Sequence, residues 1–339
     1  MDVVSDAISV ARLGHPCSRR MRLHGSWSVR LDPYDGAGFY IVLKGSCWLL
    51  IDGNTPVSLR VGDAVLLPHG AGHVIADSPI DAALAKQAIT FEQWLEQTQS
   101  GARPDRVETE MLCGTYWLDC NRMHPLMAEL PALVHFPHRV GIHLELRAAI
   151  DLLAGELDER RPGSCIALPS LLDLLLIYMI RSWMTETTSG AWPSALGDPV
   201  TAAALRAMHS NPAAPWSNDR LAAEAGVSRP TLARRFTTLV GRPPMAYLTW
   251  WRLILAATLL RDTPDTLATI ADRVGYSTPY ALSHAFRREF GTTPGRYRAQ
   301  VEGRRSPPDA DQPDGDIIPF RDYELLRQVI SPGAVSCSK

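Results

Sequence analysis

Two copies of one pattern decide the fold of the C-terminal third: "LARRFTTLVGRPP" at 232–244 and "LSHAFRREFGTTP" at 282–294. Both read Leu, three residues, Phe, four residues, Gly, two residues, Pro, and they lie 50 residues apart. Each follows a short helical pattern that ends in a glycine turn, at Gly226 and at Gly275. Helix, glycine turn and capped helix is the helix-turn-helix plan, so the repeat predicts two such motifs. The predicted motifs span about 218–240 and 267–290.

The helical period predicts which side chains of each second helix face outward. Leu232 and Phe236 lie one turn apart and share a side, as do Leu282 and Phe286, so these sides are predicted to be buried. Arg235 falls near the buried edge. On the opposite sides, arginine can pair bidentately with guanine, and serine or threonine suits phosphate. The predicted DNA-contacting residues are Ser228, Arg229, Pro230, Ala233, Arg234, Thr237, Thr278, Tyr280, Ala281, Ser283, His284, Arg287 and Arg288.

Charge is distributed unevenly along the 339 residues. Residues 201–300 hold 13 arginines, no lysine and 6 acidic residues, which gives this block a charge of +7. Because the net charge of the whole chain is −2, the other residues together carry −9. A basic block beside an acidic remainder indicates a polyanionic partner. Between the two copies, residues 245–262 predict one helix of about four turns. Such a stiff connector must either match the 10–10.5 base-pair repeat of the major groove or force the DNA to bend.

The basic block resembles the DNA-binding domain of AraC/XylS-type transcription regulators over about 100 residues. Matching positions are Leu221, Ala222, Gly226, Ser228, Leu232, Phe236, Gly241, Pro244, Tyr247, Arg252, Ala256, Leu260, Ile270, Ala271, Gly275, Tyr276, Phe286, Phe290, Gly291, Pro294, Tyr297 and Arg298. Two positions depart from the family pattern: Leu282 replaces a usual aromatic residue, and His284 stands where Arg or Lys is common. These departures bear on the target preference of the second motif.

The N-terminal part has strand patterns punctuated by glycine turns. Residues 39–53 and 56–68 each contain strand, turn and strand, and residues 108–120 add another strand. The stretch "GDAVLLPHGAGHVIAD" at 62–77 resembles the second motif of the cupin β-barrel through Gly62, Pro68, Gly70 and His73. Many AraC-type regulators carry a cupin-like barrel ahead of the DNA-binding domain. The resemblance therefore implies a cupin-like effector-binding domain at 1–123.

Metal-binding cupins carry further ligands that this chain lacks. Their first motif supplies two histidines and a carboxylate, whereas residues 36–53 contain no histidine and no carboxylate before Asp52. One or two imidazoles do not make a firm site for zinc or iron. We therefore expect no cofactor, with a remodelled metal site of His69, His73 and a thiol such as Cys113 as the alternative. The candidate effector-binding residues are Tyr40, His69 and His73.

The middle of the chain is predicted to be helical. Residues 142–160 and 168–184 have leucines at three- and four-residue spacing, and we expect 124–199 to be a helical linker and dimerisation segment. Within it, the Gly- and Pro-containing stretch 185–199 is predicted to be a linker loop. The DNA-binding domain is expected at 200–300. Residues 301–339, rich in Pro and Asp, are predicted to be a disordered tail.

Cysteine usage and the N-terminus indicate a cytoplasmic protein without a membrane partner. The first residues lack a secretory pattern, and no run of about 18 apolar residues stands out. Six irregularly spaced cysteines are then best read as reduced thiols. A redox sensor needs a thiol of low pKa near positive charge, which favours Cys17, beside Arg19 and Arg20. Cys113 is the second redox candidate.

Together these features predict a multidomain α+β chain: a cupin-like β-barrel, a helical segment, and an all-α double helix-turn-helix domain. Its predicted function is sequence-specific regulation of transcription, without catalysis, under a small-molecule or redox signal. Expected partners are double-stranded promoter DNA, an unknown effector, a second copy of the chain, and RNA polymerase if the protein is an activator. Two alternatives remain open: a metal-dependent cupin enzyme, and a constitutive DNA-binding protein whose barrel only dimerises.

Overall fold

The computed structural model describes residues 2–13, 16–94, 108–118, 123–158, 162–187 and 190–305. The chain divides into two compact units. One unit is Met1–Ser210 together with Asn218–Pro244, and the other is Asn211–Ser217 together with the residues from Met245 onward.

The described strands form two five-stranded sheets in the first unit. They are β1 Cys17–Leu23, β2 Ser28–Leu31, β3 Gly36–Lys44, β4 Ser46–Ile51, β5 Val57–Arg60, β6 Ala64–Leu67, β7 His73–Ala76, β8 Ile89–Thr90, β9 Thr109–Trp117 and β10 Val134–Phe136. The first sheet has the order β1-β9-β3-β6-β10, and its pairs are antiparallel. The second has the order β5-β4-β7-β2-β8, in which β2 and β8 pair in parallel.

Strand alternation gives the first sheet two faces with different neighbours. Arg19, Cys113 and Tyr40 are in register across β1, β9 and β3, so their side chains share a face. Tyr40 contacts His73 of the second sheet, which makes this the inward face. Tyr116, on the opposite face, donates a hydrogen bond to the Leu172 carbonyl at 2.7 Å. The predicted β-barrel is thus a pair of packed sheets, without hydrogen-bonded closure among the described strands.

Nine helices of the first unit are described here. They are α1 Val3–Ala11, α2 Ala82–Gln87, α3 Pro125–Ala128, α4 Leu144–Asp158, α5 Ser164–Glu186, α6 Ala191–Gly197, α7 Pro199–Ser210, α8 Asn218–Glu224 and α9 Arg229–Val240. Helices α4 and α5 pack together, and α5 also contacts β1. By length and composition alone α5 is apolar enough to cross a membrane. Within this fold, however, its Asp173 pairs with Arg12, and Leu172, Leu175 and Met179 are buried.

Residues 3–11 form α1, because Asp2 accepts the N–H groups of Val4 and Ser5 at 3.0 Å and caps the helix. Three segments differ from the expectations drawn from sequence. The predicted linker loop contains α6, whose Trp192 is buried. Residues 134–136, within the segment 124–199 expected to be helical, pair with β6 as a strand. The expected tail begins as helix up to residue 305, and residues 306–339 lie outside the described residues.

The second unit is built from α10 Pro244–Asp262, α11 Leu267–Arg273, α12 Pro279–Phe290 and α13 Pro294–Arg305. Its core is the cluster around Leu260, Ile270, Leu282 and Phe286, all buried. Arg298 of α13 donates to the carbonyls of Leu260, Thr263 and Asp265. Carbonyls at a helix C-terminus lack partners within the helix, so this arginine closes the end of α10 and holds α13 to it.

Candidate functional site

The first helix-turn-helix motif consists of α8, a glycine turn and α9. Gly226 adopts a φ of +66°, the left-handed conformation that glycine tolerates best. Ser228 then caps α9, its Oγ accepting the N–H of Thr231 at 3.4 Å. Leu232 and Phe236 are fully buried. The side of α9 that carries them is therefore fixed against the protein, and the opposite side faces solvent.

The exposed side of α9 carries most of the residues predicted to contact DNA. Ser228, Arg229, Pro230, Arg234 and Thr237 are exposed, whereas Ala233 is half-buried. Arg229 lies 3.8 Å from the Asp219 carboxylate, and both side chains are largely exposed. Arg235, predicted to be a poorer base reader, instead pairs with Asp198 at 3.2 Å.

The second motif consists of α11, a glycine turn and α12. Gly275 has a φ of +82°, and a Cβ placed there would lie 2.7 Å from the Ala213 Cα, so only glycine fits. Thr278 caps α12 by accepting the N–H of Ala281 at 3.1 Å. Leu282 and Phe286 are fully buried. The exposed predicted residues are Thr278, Tyr280, Ala281, His284, Arg287 and Arg288, and Ser283 is half-buried.

The exposed faces of the two helices share one chemistry. Each presents guanidinium groups, Arg234 on α9 and Arg287 with Arg288 on α12, beside hydroxyl and imidazole groups. Helix α9 contains no acidic residue, and Glu289 is the only one in α12. Capped helices with outward arginines provide hydrogen-bond donors for guanine edges and charge for phosphates. Each motif thus has the composition of a DNA-reading surface.

The part of the first unit that contains the two sheets is called the β domain, and in it two candidate effector residues are hydrogen-bonded to each other. Tyr40 and His73 are buried, with 2.8 Å between Tyr40 Oη and His73 Nε2. His73 Nδ1 lies 2.7 Å from the Ala71 carbonyl, which can only accept, so Nδ1 carries the proton and Nε2 accepts from Tyr40. Burial lowers the pKa of His73 to about 4 and raises that of Tyr40. The pair forms a hydrogen bond between two uncharged side chains and links the two sheets. Both imidazole nitrogens of His73 are engaged in hydrogen bonds, so neither is available to bind a ligand.

The alternative metal site is not assembled in this arrangement. His69 Nε2 donates to the Leu130 carbonyl at 2.7 Å, and both nitrogens of His73 are used as described. Within the part of the chain that the structure describes, no group of three or more His, Cys, Asp or Glu side chains is placed to hold a metal ion. A ligand needs a lone pair directed at the metal, which His73 lacks here. In this structure His69 and His73 make separate hydrogen bonds and are not grouped with Cys113 as ligands of one metal ion.

Sequence reasoning missed Arg19 as a candidate site residue. Arg19 lies half-buried on the inward face of the first sheet, in register with Cys113. Among the described residues, no carboxylate forms an ion pair with it. Strand alternation was the available signal, because Met21 and Leu23, two and four residues later, are buried on the same side. An arginine on the inward face can bind a carboxylate or phosphate of a ligand.

The two redox candidates have different surroundings. Cys17 Sγ lies 2.9 Å from the Thr115 hydroxyl, and Arg20, on the other face of β1, pairs with Glu110 at 2.8 Å. Of the two arginines expected to activate Cys17, only Arg19 therefore shares its face. Burial raises the pKa of Cys113 to about 12, which argues against a reactive thiolate there. Cys120 and Cys337 lie outside the described residues.

Known proteins resemble both the N-terminal and the C-terminal part of the chain. A family model described as Cupin matches residues 2–185, and one described as Helix-turn-helix domain matches 221–300. The chain is similar to a putative AraC-like transcription regulator of Streptomyces lividans, 32% identical over 301 residues, covering 88% of this chain and 98% of that protein. It is also similar to the HTH-type transcriptional regulator AlkR of Acinetobacter baylyi, 28% identical over 311 residues, covering 88% and 100%. Among solved structures, the DNA-binding domain of AdpA in complex with a target DNA is 34% identical, covering 32% of this chain and 96% of that one, with a TM-score of 0.30.

The buried His73 predicts a loss of stability in acid. The unfolded chain protonates this imidazole below about pH 6.5, whereas the folded chain does so only near pH 4. The free energy of unfolding should therefore fall by roughly 3 kcal/mol between these values on account of His73. Urea unfolding across this range measures it. His73→Asn should flatten the dependence, the exposed His24→Asn should not, and equal slopes in all three proteins would contradict the assignment.

Thiol reactivity should follow burial. Cys165 is exposed, whereas burial raises the pKa of both Cys47 and Cys113 to about 12. Iodoacetamide at pH 7.5, with peptide mass mapping, should label Cys165 about a hundredfold faster than the other two. In urea the three rates should converge. Native labelling of Cys113 as fast as Cys165 would restore its redox candidacy, and labelling of Cys17 no faster than Cys165 would remove that of Cys17.

Proposed function

The chain belongs to the AraC-like transcription regulators, and from this premise we propose how it reads promoter DNA and receives its signal. Helices α9 and α12 enter the major groove, and Arg234 and Arg287 contact base edges. His284 reads the second half-site in place of a basic residue. The remaining exposed residues contact phosphates and thereby fix the position of the protein along the DNA. The observation that carries the proposal is the pair of capped helices, each with a buried Leu and Phe behind an exposed arginine face.

The proposal assigns the signal to the space between the two sheets. Arg19 supplies a cation there, so an effector with a carboxylate or phosphate is the first candidate. A redox signal at Cys17 is the second, favoured by the position of this thiol on the same face. Binding biases the population of DNA-competent arrangements, and with it transcription, through RNA polymerase if the protein activates. The protein acts where the DNA is, in the cytoplasm.

The β domain takes no catalytic part in this proposal. Relatives of the chain are transcription regulators, and the bonded Tyr40–His73 pair supports a structural role at the position where metal-binding cupins hold a ligand. The remaining alternative is constitutive DNA binding, in which the β domain serves only for assembly. Thermal shift with small carboxylates and phosphates separates the two, because a ligand of the folded state raises the melting temperature by mass action.

A second copy of the chain is the proposed partner of helices α4 and α5. Leu152 of α4 and Ile166 and Leu174 of α5 expose 61%, 77% and 41% of their surface. These helices pack against each other, and exposed large apolar side chains favour an interaction surface in soluble proteins. A symmetric dimer buries the same patch of both copies. This interaction brings two DNA-binding domains to one promoter.

Loss of either base-contacting arginine should weaken promoter binding. Arg234→Ala and Arg287→Ala should each cost about 1–3 kcal/mol in binding free energy and relax specificity at the contacted base pairs. Footprinting and titration of the full chain on its own upstream region measure this. Arg60→Ala, which removes the same charge from an exposed position in the β domain, is the matched control. Wild-type affinity in both helix variants would overturn the proposed contacts.

Charge placed on the apolar patch should dissociate the dimer. Ile166→Glu and Leu152→Glu introduce like charges that would be buried between copies, and removal from water makes such charges unfavourable. Sedimentation velocity should show a shift from dimer to monomer in both variants. Val61→Glu changes another exposed apolar residue, 52% accessible in a turn of the β domain, and should leave the dimer intact. A dimer unaffected by both helix changes would exclude this surface.

A further inference from the structure

A cluster of mostly buried side chains joins the N-terminal elements to helices α6 and α7, which pack against α9. We name Asp6, His124, Glu129, Trp192 and His209 the junction cluster. Asp6 of α1 and His209 of α7 are both buried, and Asp6 Oδ2 lies 2.8 Å from His209 Nδ1. These two residues are separated by 203 positions in sequence. The contact therefore ties α1 to α7, the helix that precedes the first helix-turn-helix motif.

His124 fills the centre of the junction cluster. It is fully buried, and its ring centroid lies 4.7 Å from that of Trp192 and 6.1 Å from that of His209, both edge to face. Its Nδ1 accepts the N–H of Leu126 at 3.1 Å. Burial and the neighbouring His209 hold the pKa of His124 well below its usual range, so the ring packs as a neutral group.

Glu129 makes the second polar contact of the cluster. Its Oε2 accepts the N–H of Trp192 at 2.8 Å, in the first turn of α6. Gly190 precedes this helix and has no side chain to cap it, so the carboxylate of a distant residue satisfies a helix N–H. The two polar contacts thus join α1 to α7 and the residue after α3 to α6.

Helices α6 and α7 in turn support the first recognition helix. Both pack against α9. Asp198, between α6 and α7, accepts the N–H of Thr201 at 2.8 Å and pairs with Arg235 of α9 at 3.2 Å. Helices α6 and α7 therefore link α1 to α9, with Asp6 bonded to His209 of α7 and Asp198 paired with Arg235 of α9.

We propose that the junction cluster makes the first helix-turn-helix motif a rigid extension of the β domain. The division of the chain supports this, because α8 and α9 belong to the unit that holds both sheets, and the other unit takes over from Met245. Asp6 and His209 are the positioning residues. The role of this attachment in regulation rests on the proposed signal response. In that response the signal changes the arrangement of α9 relative to α12. The attachment itself is testable without signal or DNA.

Hydrogen exchange of the full chain provides the test. His209→Ala removes the donor to Asp6 and leaves a buried carboxylate without this partner, which is strongly unfavourable. Exchange in α7 and α9 should rise roughly tenfold or more, while α12 and β3 keep wild-type protection. His209→Asn is the matched control, because its amide nitrogen can take the position of Nδ1, and it should restore most of the protection.

Other outcomes overturn the attachment. Exchange that rises only within α7, or equally in α9 and α12, would show that the cluster does not hold the first motif to the β domain. If His209→Ala does not fold, Glu129→Ala serves as the second variant, because it cuts the contact with Trp192 at a half-buried position. Faster exchange in α6 and α9 alone supports the proposal, and an unchanged α9 defeats it. If the exchange results are as expected but the protein binds no promoter DNA, the proposed function is wrong and the attachment still holds.

Discussion

Burial of one leucine and one phenylalanine, four residues apart, is the constraint on which both recognition helices depend. Four residues make about one helical turn, so the two side chains anchor one side and every residue half a turn away must face solvent. Full burial of each such side chain contributes roughly 1.5–3 kcal/mol. Leu232 with Phe236 and Leu282 with Phe286 are fully buried in this way. The arginines of both helices face solvent because their neighbours are held inside.

In the β domain, hydrogen bonds to His73 satisfy a polar side chain that is buried between the two sheets. A histidine at the position of a cupin metal ligand would leave an unsatisfied group between two sheets, and an orphaned buried polar group costs about 1–3 kcal/mol. Tyr40 and the Ala71 carbonyl satisfy both nitrogens of His73. Both ring nitrogens of His73 are thereby engaged within the protein, and Arg19 is a charged group on the inward face.

The sequence was most informative where the deciding contacts are local. Caps at Ser228 and Thr278, glycine turns at Gly226 and Gly275, and strand β9 follow from neighbours a few residues apart. Helix α6 was missed because its stability comes from Glu129 and His124, more than 60 residues away. The Tyr40–His73 bond was likewise hidden, since the pattern of 62–77 marks a histidine and not its partner. Long-range pairing of side chains has no periodic signature in the chain.

Burial of Trp192 determines where the chain can be divided. A polypeptide that began at residue 200 would lack α6 and would expose the surface of α9 on which that helix packs. Its His209 would also lose the carboxylate of Asp6. Truncation mapping of the minimal DNA-binding region should therefore be designed around tertiary contacts rather than around the first residue of a repeat. Chimaeras that exchange effector domains between relatives face the same restriction, because their natural crossover point lies after α9.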